Sequence, residues 1–271
     1  MHFTFYIMKI SVLGVKINND TKNTLLFLIK KLLAENQKIF IVTPYSEMLV
    51  KAQSDRGFRD VLNSATFALP DGIGVLWAAH FLKFSPPARG GDYEGVGVKR
   101  VLKLISSLFA VIFAPKKIRD PIPEKISGSD FVWDLARLAE ERGLSVFLLG
   151  GFGDTSALAA QKLRSRFPNL KIAGTSNQIT TDINADFLFV ALGPVRQETW
   201  IAENLPKLPI KLAIGLGGTF DYLASKRPPA PQIWRKTGLE WLWRLLTQPW
   251  RLWRISKGVL GLIFYCLRPK V

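Results

Sequence analysis

Short apolar runs rich in β-branched residues alternate with helix-like segments over most of this chain. Alternation at this spacing is typical of a mostly parallel sheet with helices on both faces, so we predict a Rossmann-like α/β fold. The strand candidates are 8–15, 38–43, 66–70, 145–150, 170–175, 186–192 and 211–217. The helix candidates are 21–36, 46–57, 73–83, 129–142, 154–166 and 196–205.

The composition allows a large core and restricts the chemistry. Of 271 residues, 48% are hydrophobic and 21% are charged, so wholesale disorder is not expected. Cys266 is the only cysteine, which excludes an internal disulfide and a cysteine metal cluster. With only His2 and His80, histidine-rich zinc chemistry and a Ser–His–Asp triad are not expected. A reducing cytoplasm fits this composition.

The net charge of +16 lies mainly in two segments. Residues 83–120 hold eight Lys/Arg against three Asp/Glu, and residues 226–271 hold ten against one. The apolar runs 104–114 and 258–267, inside these segments, are shorter than the ~20 residues of a membrane span. Basic charge beside apolar surface indicates an anionic membrane surface rather than nucleic acid. We therefore expect a peripheral protein on the cytoplasmic face of a bacterial membrane.

The start of the chain gives no sign of export. Its first residues lack the basic start and the small-residue cleavage site of a signal peptide, and Met8 is an alternative start.

Two regions depart from the α/β pattern, and they suggest the domain boundaries. We predict a catalytic domain over 1–225 and a helical, membrane-associating appendage over 226–271. Within the first domain, 85–120 reads as an insertion, and 98–117 predicts either an interfacial helix or a buried core helix.

The appendage carries two stripes at helical spacing, with a break expected before Pro249. They form either a membrane surface or an ordinary docked helix pair. The stripes consist of Trp243, Trp250 and Trp253, and of Arg244, Arg251 and Arg254.

Unusual glycine and polar clusters follow five of the predicted strands. Parallel strands place the loops at their carboxyl ends on one edge of the sheet, where ligands bind. We therefore expect these loops to converge on one rim, with Asp71 in the floor of a shared cavity. The loops are 43–47, 70–74, 150–154, 193–198 and 215–222.

Asp71 lies between Pro70 and Gly72, at the end of a predicted strand. A carboxylate held rigidly at a strand end suits a general base. The alternative is the N-cap of helix 73–83.

The run from 148 to 164 combines a strand, a glycine turn and a helix. Free N–H groups at a helix start suit a diphosphate, with Asp154 or Thr155 as the cap. The alternative is tight-turn chemistry alone. The spacing is G-G-x-G rather than G-x-G-x-x-G, and strand 170–175 does not end in an acid. Both departures weigh against an NAD(P)-dependent oxidoreductase.

Other rim residues have two readings each. Thr43 either contacts a phosphate or hydroxyl or ends its strand, and Gln197 either binds a sugar or base edge or is a solvated first-turn residue. Ser127 or Ser129, with Asp130, either contact substrate or cap the helix. Asp221 either meets a sugar hydroxyl or forms a turn.

No D-x-D occurs, so we expect arginines or lysines, rather than a metal, to neutralise a leaving diphosphate.

Several motifs together resemble the WecB/TagA/CpsF glycosyltransferases (glycosyltransferase family 26). They are 70-PDGIG-74, 127-SGSDF-131, 193-GPVRQE-198, 215-GLGGTFDY-222, 238-GLEWLWRL-245 and 249-PWRLWR-254. The resemblance implies an inverting, metal-independent enzyme without a cofactor. It would move N-acetylmannosamine or a related sugar from a UDP donor to a polyprenyl-diphosphate-linked sugar in cell-surface polymer synthesis. Non-catalytic membrane binding is the remaining alternative, and a homo-oligomer is compatible with either.

The same resemblance implies that Asp71 is the base and that Thr43 and Gln197 lie in the cleft. The remaining substrate contacts would be Gly72, Gly74, Lys125, Ser127, Gly128, Asp130, Gly150, Gly151, Gly153, Gly193, Glu198, Gly217, Gly218, Asp221, Arg244, Arg251 and Arg254. The chain departs from the family pattern at Tyr45, usually Asn, and at Lys125, usually Arg. The segments 85–120 and 227–231 also depart from it.

Overall fold

The computed structural model of this chain describes residues 7–85, 96–228, 231, 234, 240–247 and 252–268. The strands are β1 Lys9–Val12, β2 Val15–Asn18, β3 Ile39–Val42, β4 Phe67–Ala68, β5 Ser145–Gly150, β6 Lys171–Ser176, β7 Phe187–Ala191 and β8 Leu212–Gly215. The helices are α1 Lys22–Ala34, α2 Ser46–Ser54, α3 Arg56–Ser64, α4 Ile73–Phe84, α5 Val96–Phe113, α6 Gly128–Glu141, α7 Thr155–Arg166, α8 Arg196–Asn204, α9 Thr219–Leu223, α10 Glu240–Thr247 and α11 Leu252–Leu267.

A six-stranded sheet in the order β4-β3-β8-β7-β5-β6 forms the centre of the fold. Every neighbouring pair in it is parallel, which confirms the predicted α/β class. Strands β3 and β8 are buried along their whole length, as expected for strands covered on both faces. One core contains residues of α1, α6 and α7, and the other contains residues of α2, α4 and α8. Helices therefore cover both faces.

The predicted strand over 8–15 is wrong. It forms β1 and then turns, so that β1 and β2 make an antiparallel hairpin outside the main sheet. Leu13 and Gly14, with φ of 51° and 80°, form the two-residue turn. Two consecutive residues with positive φ give the twist that a tight hairpin requires. A leucine gives no sequence signal for that conformation.

Helix α3 was not predicted. Asp55 is the N-cap residue of α3, and its side chain accepts a hydrogen bond from Phe58 N at 2.9 Å. An aspartate at this position is the sequence signal that could have indicated the start of this helix. The predicted helix 46–57 ran across this boundary.

Helix α5 lies on the surface of α4 and is not a buried core helix. Trp77 Nε1 donates to Ser107 Oγ at 2.9 Å, and Arg100 Nη2 donates to the carbonyl oxygen of Cys266, in α11, at 2.6 Å. Among the side chains that the structure describes in α5, six large apolar ones are exposed: Val98, Val101, Leu102, Ile105, Phe109 and Phe113. An interfacial position for this helix stays a prediction.

The C-terminal helix α11 packs by one face against α2 and α4. A Cβ added to Gly258 would lie 2.7 Å from Glu47 Cγ, and one added to Gly261 would lie 2.9 Å from Val50 Cγ1. These glycines allow close approach, while Leu262 and Cys266 are buried in the core. The opposite face exposes Val259, Leu260 and Phe264. Among the helices that the structure describes, none has the length and apolarity to cross a bilayer.

Two members of the predicted tryptophan stripe are described. The ring of Trp243 contacts that of Trp234 in a tilted arrangement, with ring centroids 5.9 Å apart, and Trp253 is exposed. Trp250 and the expected break before Pro249 lie outside the described residues.

Candidate functional site

The five loops follow parallel strands that are neighbours in the sheet, and they therefore lie at the same edge. Helices α2, α4, α7, α8 and α9 begin in these loops. A helix N-terminus carries a partial positive charge and free N–H groups, so this rim suits an anion such as a diphosphate. The geometry supports the predicted convergence.

Asp71 is held between two other segments of the rim. Its backbone N–H donates to Pro44 O at 3.0 Å, and Ile126 N donates to Pro70 O at 2.9 Å. The N-cap residue of α4 is Gly72, with φ of 96°, so Asp71 is not the N-cap. Asp71 is partly exposed.

A cavity at Asp71 stays a prediction. The prominent cavity, of about 500 Å³, lies between α4 and α5, and Asp71 does not line it. Beside the first turn of α4, a Cβ on Gly74 would collide with Ser46 Oγ of α2 and would lie 3.5 Å from Leu262 Cδ2 of α11, so both helices pack there.

Thr43 and Gly128 connect the rim to α6. The buried Thr43 hydroxyl donates to Gly215 O at 3.4 Å, which joins the ends of β3 and β8. A Cβ on Gly128 would lie 3.4 Å from Thr43 Cγ2 and 3.3 Å from Leu216 Cδ2, so the start of α6 lies against the same strand ends. Contact of Thr43 with substrate stays a prediction.

Gln197 and Glu198 form a buried polar pair, so Gln197 is not a solvated first-turn residue. Gln197 Nε2 donates to Glu198 Oε1 at 2.7 Å, and Gln197 Oε1 accepts from Gly217 N at 3.0 Å. The other oxygen of Glu198 accepts from Val195 N at 2.8 Å. Burial raises the pKa of Glu198. The pair fixes the loop after β7 to the loop after β8.

The glycine turn after β5 is built by close approach of the backbone. Gly150, Gly151 and Gly153 have φ of 98°, 80° and 62°. A Cβ on Gly150 would lie 2.5 Å from Ala191 O, whereas one on Gly153 would meet nothing within 4 Å. Tight-turn chemistry therefore explains Gly150, and the open side of Gly153 suits a ligand.

The start of the C-terminal segment crosses this turn. Lys226 forms an ion pair with Asp154, and its Nζ donates to Thr155 Oγ1 at 3.0 Å. The hydrogen bond from Lys226 lowers the pKa of Asp154. Neither predicted cap is made, because Asp154 makes no side-chain cap bond and Thr155 Oγ1 donates to Phe152 O at 2.5 Å. Sequence reasoning missed Lys226, since its partners lie some seventy positions earlier.

Ser127 and Asp130 bond to each other. Ser127 Oγ donates to Asp130 Oδ2 at 2.9 Å and lies 3.2 Å from Ser129 Oγ. Ser127 is the N-cap residue of α6 by position but makes no side-chain cap bond. Lys125 lies two residues before it and is partly buried.

Asp221 supports a turn. Its carboxylate pairs with Arg227 Nε at 3.4 Å, and its carbonyl oxygen accepts from Lys226 N at 3.0 Å. Contact with a sugar hydroxyl stays a prediction.

The remaining predicted site residues are glycines and arginines. Gly193 and Gly217 have φ of 85° and 48°, and a Cβ on Gly193 or Gly218 would meet nothing within 4 Å. Val195, between the loop and α8, has φ of 72°, which is strained for a β-branched residue and which no sequence signal indicates. The side chains of Arg244, Arg251 and Arg254 lie outside the described residues.

Within the described ranges, no group of three or more His, Cys, Asp or Glu side chains is placed to hold a metal ion. Metal-independent chemistry stays a prediction.

Several bacterial proteins are similar to this chain over most of its length. A protein of Staphylococcus aureus (strain MRSA252) is 25% identical over 92% of this chain and 88% of its own. Proteins of Bacillus subtilis (strain 168) and Bacillus spizizenii (strain W23) are 28% and 30% identical, over 87% and 82% of this chain and 82% and 76% of their own. Each is named N-acetylglucosaminyldiphosphoundecaprenol N-acetyl-β-D-mannosaminyltransferase.

The sequence model of the glycosyl transferase WecG/TagA/CpsF family matches residues 10–93 and 109–271. The internal gap in the match, residues 94–108, lies within the predicted insertion and includes most of α5. The match covers the rim loops and the C-terminal helices, and the chain therefore belongs to the WecG/TagA/CpsF family of glycosyl transferases.

Proposed function

We propose that this chain transfers N-acetylmannosamine, or a related sugar, from a UDP donor to a polyprenyl-diphosphate-linked sugar. The observation that carries the proposal is Asp71, a carboxylate held at a rim where several helices begin. The names of the relatives support this sugar and this class of acceptor. The product would serve cell-surface polymer synthesis.

The proposed mechanism is a single in-line displacement with inversion. The Asp71 carboxylate takes the proton of the acceptor hydroxyl, whose oxygen forms the new bond to the anomeric carbon. The bond from that carbon to the UDP diphosphate breaks on the opposite side. Helix N-termini and cationic side chains of the C-terminal segment stabilise the departing diphosphate without a metal ion.

A substitution of the base tests this mechanism. Asp71→Asn keeps the shape of the side chain but cannot accept the proton. We expect UDP binding to remain and kcat for sugar transfer to fall about 10²–10⁴-fold. The measurement is product mass after incubation with UDP-N-acetylmannosamine and a synthetic polyprenyl-diphosphate-N-acetylglucosamine.

Asp182→Asn is the matched control, because Asp182 is an exposed acid in the segment before β7, outside the five rim loops. Unchanged kcat in Asp71→Asn would remove Asp71 from the mechanism. Thermal-shift titrations distinguish a sugar transferase from an NAD(P)-dependent oxidoreductase. A transferase should be stabilised by UDP-sugars, whereas an oxidoreductase should be stabilised by NAD(P).

We also propose that the enzyme works on the cytoplasmic face of the membrane. Helices α5 and α11 both pack on α4, and neither 96–119 nor 252–271 contains an acidic residue. Exposed Lys99, Lys103 and Lys257 lie among exposed apolar side chains of these helices. Basic and apolar side chains together favour the surface of an anionic bilayer, where the lipid-linked acceptor is found.

A further inference from the structure

The cavity of about 500 Å³ between α4 and α5 is apolar along its walls. We call it the α4–α5 groove. Helix α4 contributes Phe81 and Phe84, and α5 contributes Phe109, Ala110 and Phe113. A volume of this size is typical of sites for small organic ligands, which are mostly apolar with a few polar groups.

The aromatic wall of the groove is exposed. The rings of Phe109 and Phe113 stack with centroids 5.9 Å apart, and these residues are 60% and 75% exposed. Contiguous exposed apolar surface of this kind is typical of ligand grooves and of protein or membrane contact sites. Hydrocarbon is the chemistry that such a wall selects.

The polar groups of the groove are cationic or neutral. Lys103 Nζ donates to Phe84 O at 2.8 Å, and His80 Nδ1 lies 3.0 Å from Asp120 O. Lys117, four residues beyond the C-terminal end of α5, is an exposed lining residue. None of the described lining residues is acidic. An apolar chain that carries a negative head group therefore complements this groove.

The groove lies along the helix that begins beside Asp71. Helix α4 starts at Ile73, and His80 is seven residues further on, which is a rise of about 10 Å. A ligand with its sugar at Asp71 and its diphosphate along α4 would present its hydrocarbon chain to the groove. Ser107 lines the groove and accepts a hydrogen bond from Trp77 Nε1 of α4 at 2.9 Å, so α5 is fixed to α4 along the groove.

We propose that the α4–α5 groove binds the first isoprene units of the acceptor's polyprenyl chain, with Lys117 beside the diphosphate. The identity of this ligand rests on the proposed function. Lys103, Ser106 and Ser107 fall in the stretch that the family does not match, while Phe109 and Phe113 fall within the match. This groove wall is therefore partly a feature of this chain.

Binding of farnesyl diphosphate, measured by calorimetry on the full chain, tests the proposal without requiring turnover. Ala110→Trp fills the groove, whereas Leu102→Trp places the same ring on the same helix outside the lining. We expect saturable binding by the unmodified protein and by Leu102→Trp. For Ala110→Trp we expect binding at least about tenfold weaker, equal to ~1.4 kcal/mol. Equal affinity in the two variants, or no saturable binding by the unmodified protein, would overturn the proposal.

A second variant is needed in case Ala110→Trp does not fold. Ala114→Leu adds less volume to the same groove, and circular dichroism confirms that each variant is folded. A folded Ala114→Leu protein with unchanged affinity contradicts the proposal.

Two further comparisons test whether the diphosphate head group is recognised and whether the groove selects a prenyl chain over a lipid acyl chain. We expect Lys117→Ala to weaken binding of farnesyl diphosphate but not of farnesol. Competition by lysophosphatidylglycerol as strong as that by farnesyl diphosphate would show a general lipid site and overturn the assignment. The transfer assay tests the proposed function separately. If farnesyl diphosphate binds but no donor supports sugar transfer, the proposed function is wrong and the groove is still a prenyl diphosphate site.

Discussion

In the turn after β5, Gly150 and Gly153 are required for different physical reasons. Both Gly150 and Gly153 have positive φ, but only Gly150 lies so close to a neighbouring strand that a Cβ would meet Ala191 O at 2.5 Å. Strand β7 supplies that oxygen, and β5 and β7 are adjacent in the sheet. The turn after β5 therefore depends on a tertiary contact at one glycine and only on backbone conformation at the other.

A matched pair of substitutions separates these effects. Gly153→Ala should lower the free energy of unfolding by ~1–2 kcal/mol, the cost of a left-handed conformation. Gly150→Ala should lower it by roughly 2–5 kcal/mol, because overpacking adds to that cost. Urea denaturation measures both. Equal losses would mean that the sheet relaxes around the new methyl group.

At the scale of elements, Asp186 joins the starts of three strands. Its carboxylate accepts from Ser145 N at 2.8 Å and Ser145 Oγ at 2.9 Å, and pairs with Lys211 Nζ at 2.8 Å. Its carbonyl oxygen accepts from Leu212 N at 3.1 Å. Burial alone would raise the pKa of Asp186, but the bonds from Lys211 and Ser145 outweigh burial and lower it.

This lowered pKa predicts acid sensitivity. Because the folded pKa lies below the unfolded value of about 3.9, the stabilisation is present above that value and is lost as pH falls through the folded pKa. Asp186→Asn should cost ~1–3 kcal/mol at pH 7 and less at pH 3. Chemical denaturation at both pH values measures the difference. Asp182→Asn, at an exposed position, is the control, and parallel pH profiles for Asp186→Asn and the unmodified protein would contradict the argument.

At the scale of the whole molecule, the insertion and the C-terminal helix are connected. Arg100 of α5 donates to the carbonyl oxygen of Cys266 in α11, and both helices pack on α4. Desolvation lowers the pKa of Arg100, and burial raises the pKa of Cys266 to about 12, so this thiol stays neutral. Two basic, partly apolar helices thus lie on the element that begins beside Asp71.

Vesicle binding tests whether this surface meets the membrane. We expect binding to vesicles with anionic lipid to exceed binding to neutral vesicles and to weaken with salt, because the Debye length is only ~10 Å at 0.1 M. Leu102→Glu should weaken binding at least about tenfold, since a buried leucine contributes ~1.5–3 kcal/mol. Ile179→Glu makes the same change at an exposed apolar residue outside both helices. Equal effects of the two variants would show that charge alone drives binding.

The sequence by itself determined the fold class and the loops that follow the parallel strands. Those features follow from local signals: apolar runs of strand length, helical periodicity, and glycine or acid at strand ends. Each signal is complete within a few residues. The bounds of β3, β5, β7 and β8 lie within the predicted ranges for that reason.

Only the tertiary structure decided how those parts meet. Gln197 with Gly217 N, Lys226 with Asp154, and Arg100 with the Cys266 carbonyl are contacts between segments far apart in the chain. The hairpin turn at Leu13 and the strained Val195 gave no local signal, because packing imposes their positive φ. The α4–α5 groove likewise exists because two helices, separated along the chain, leave a space between them.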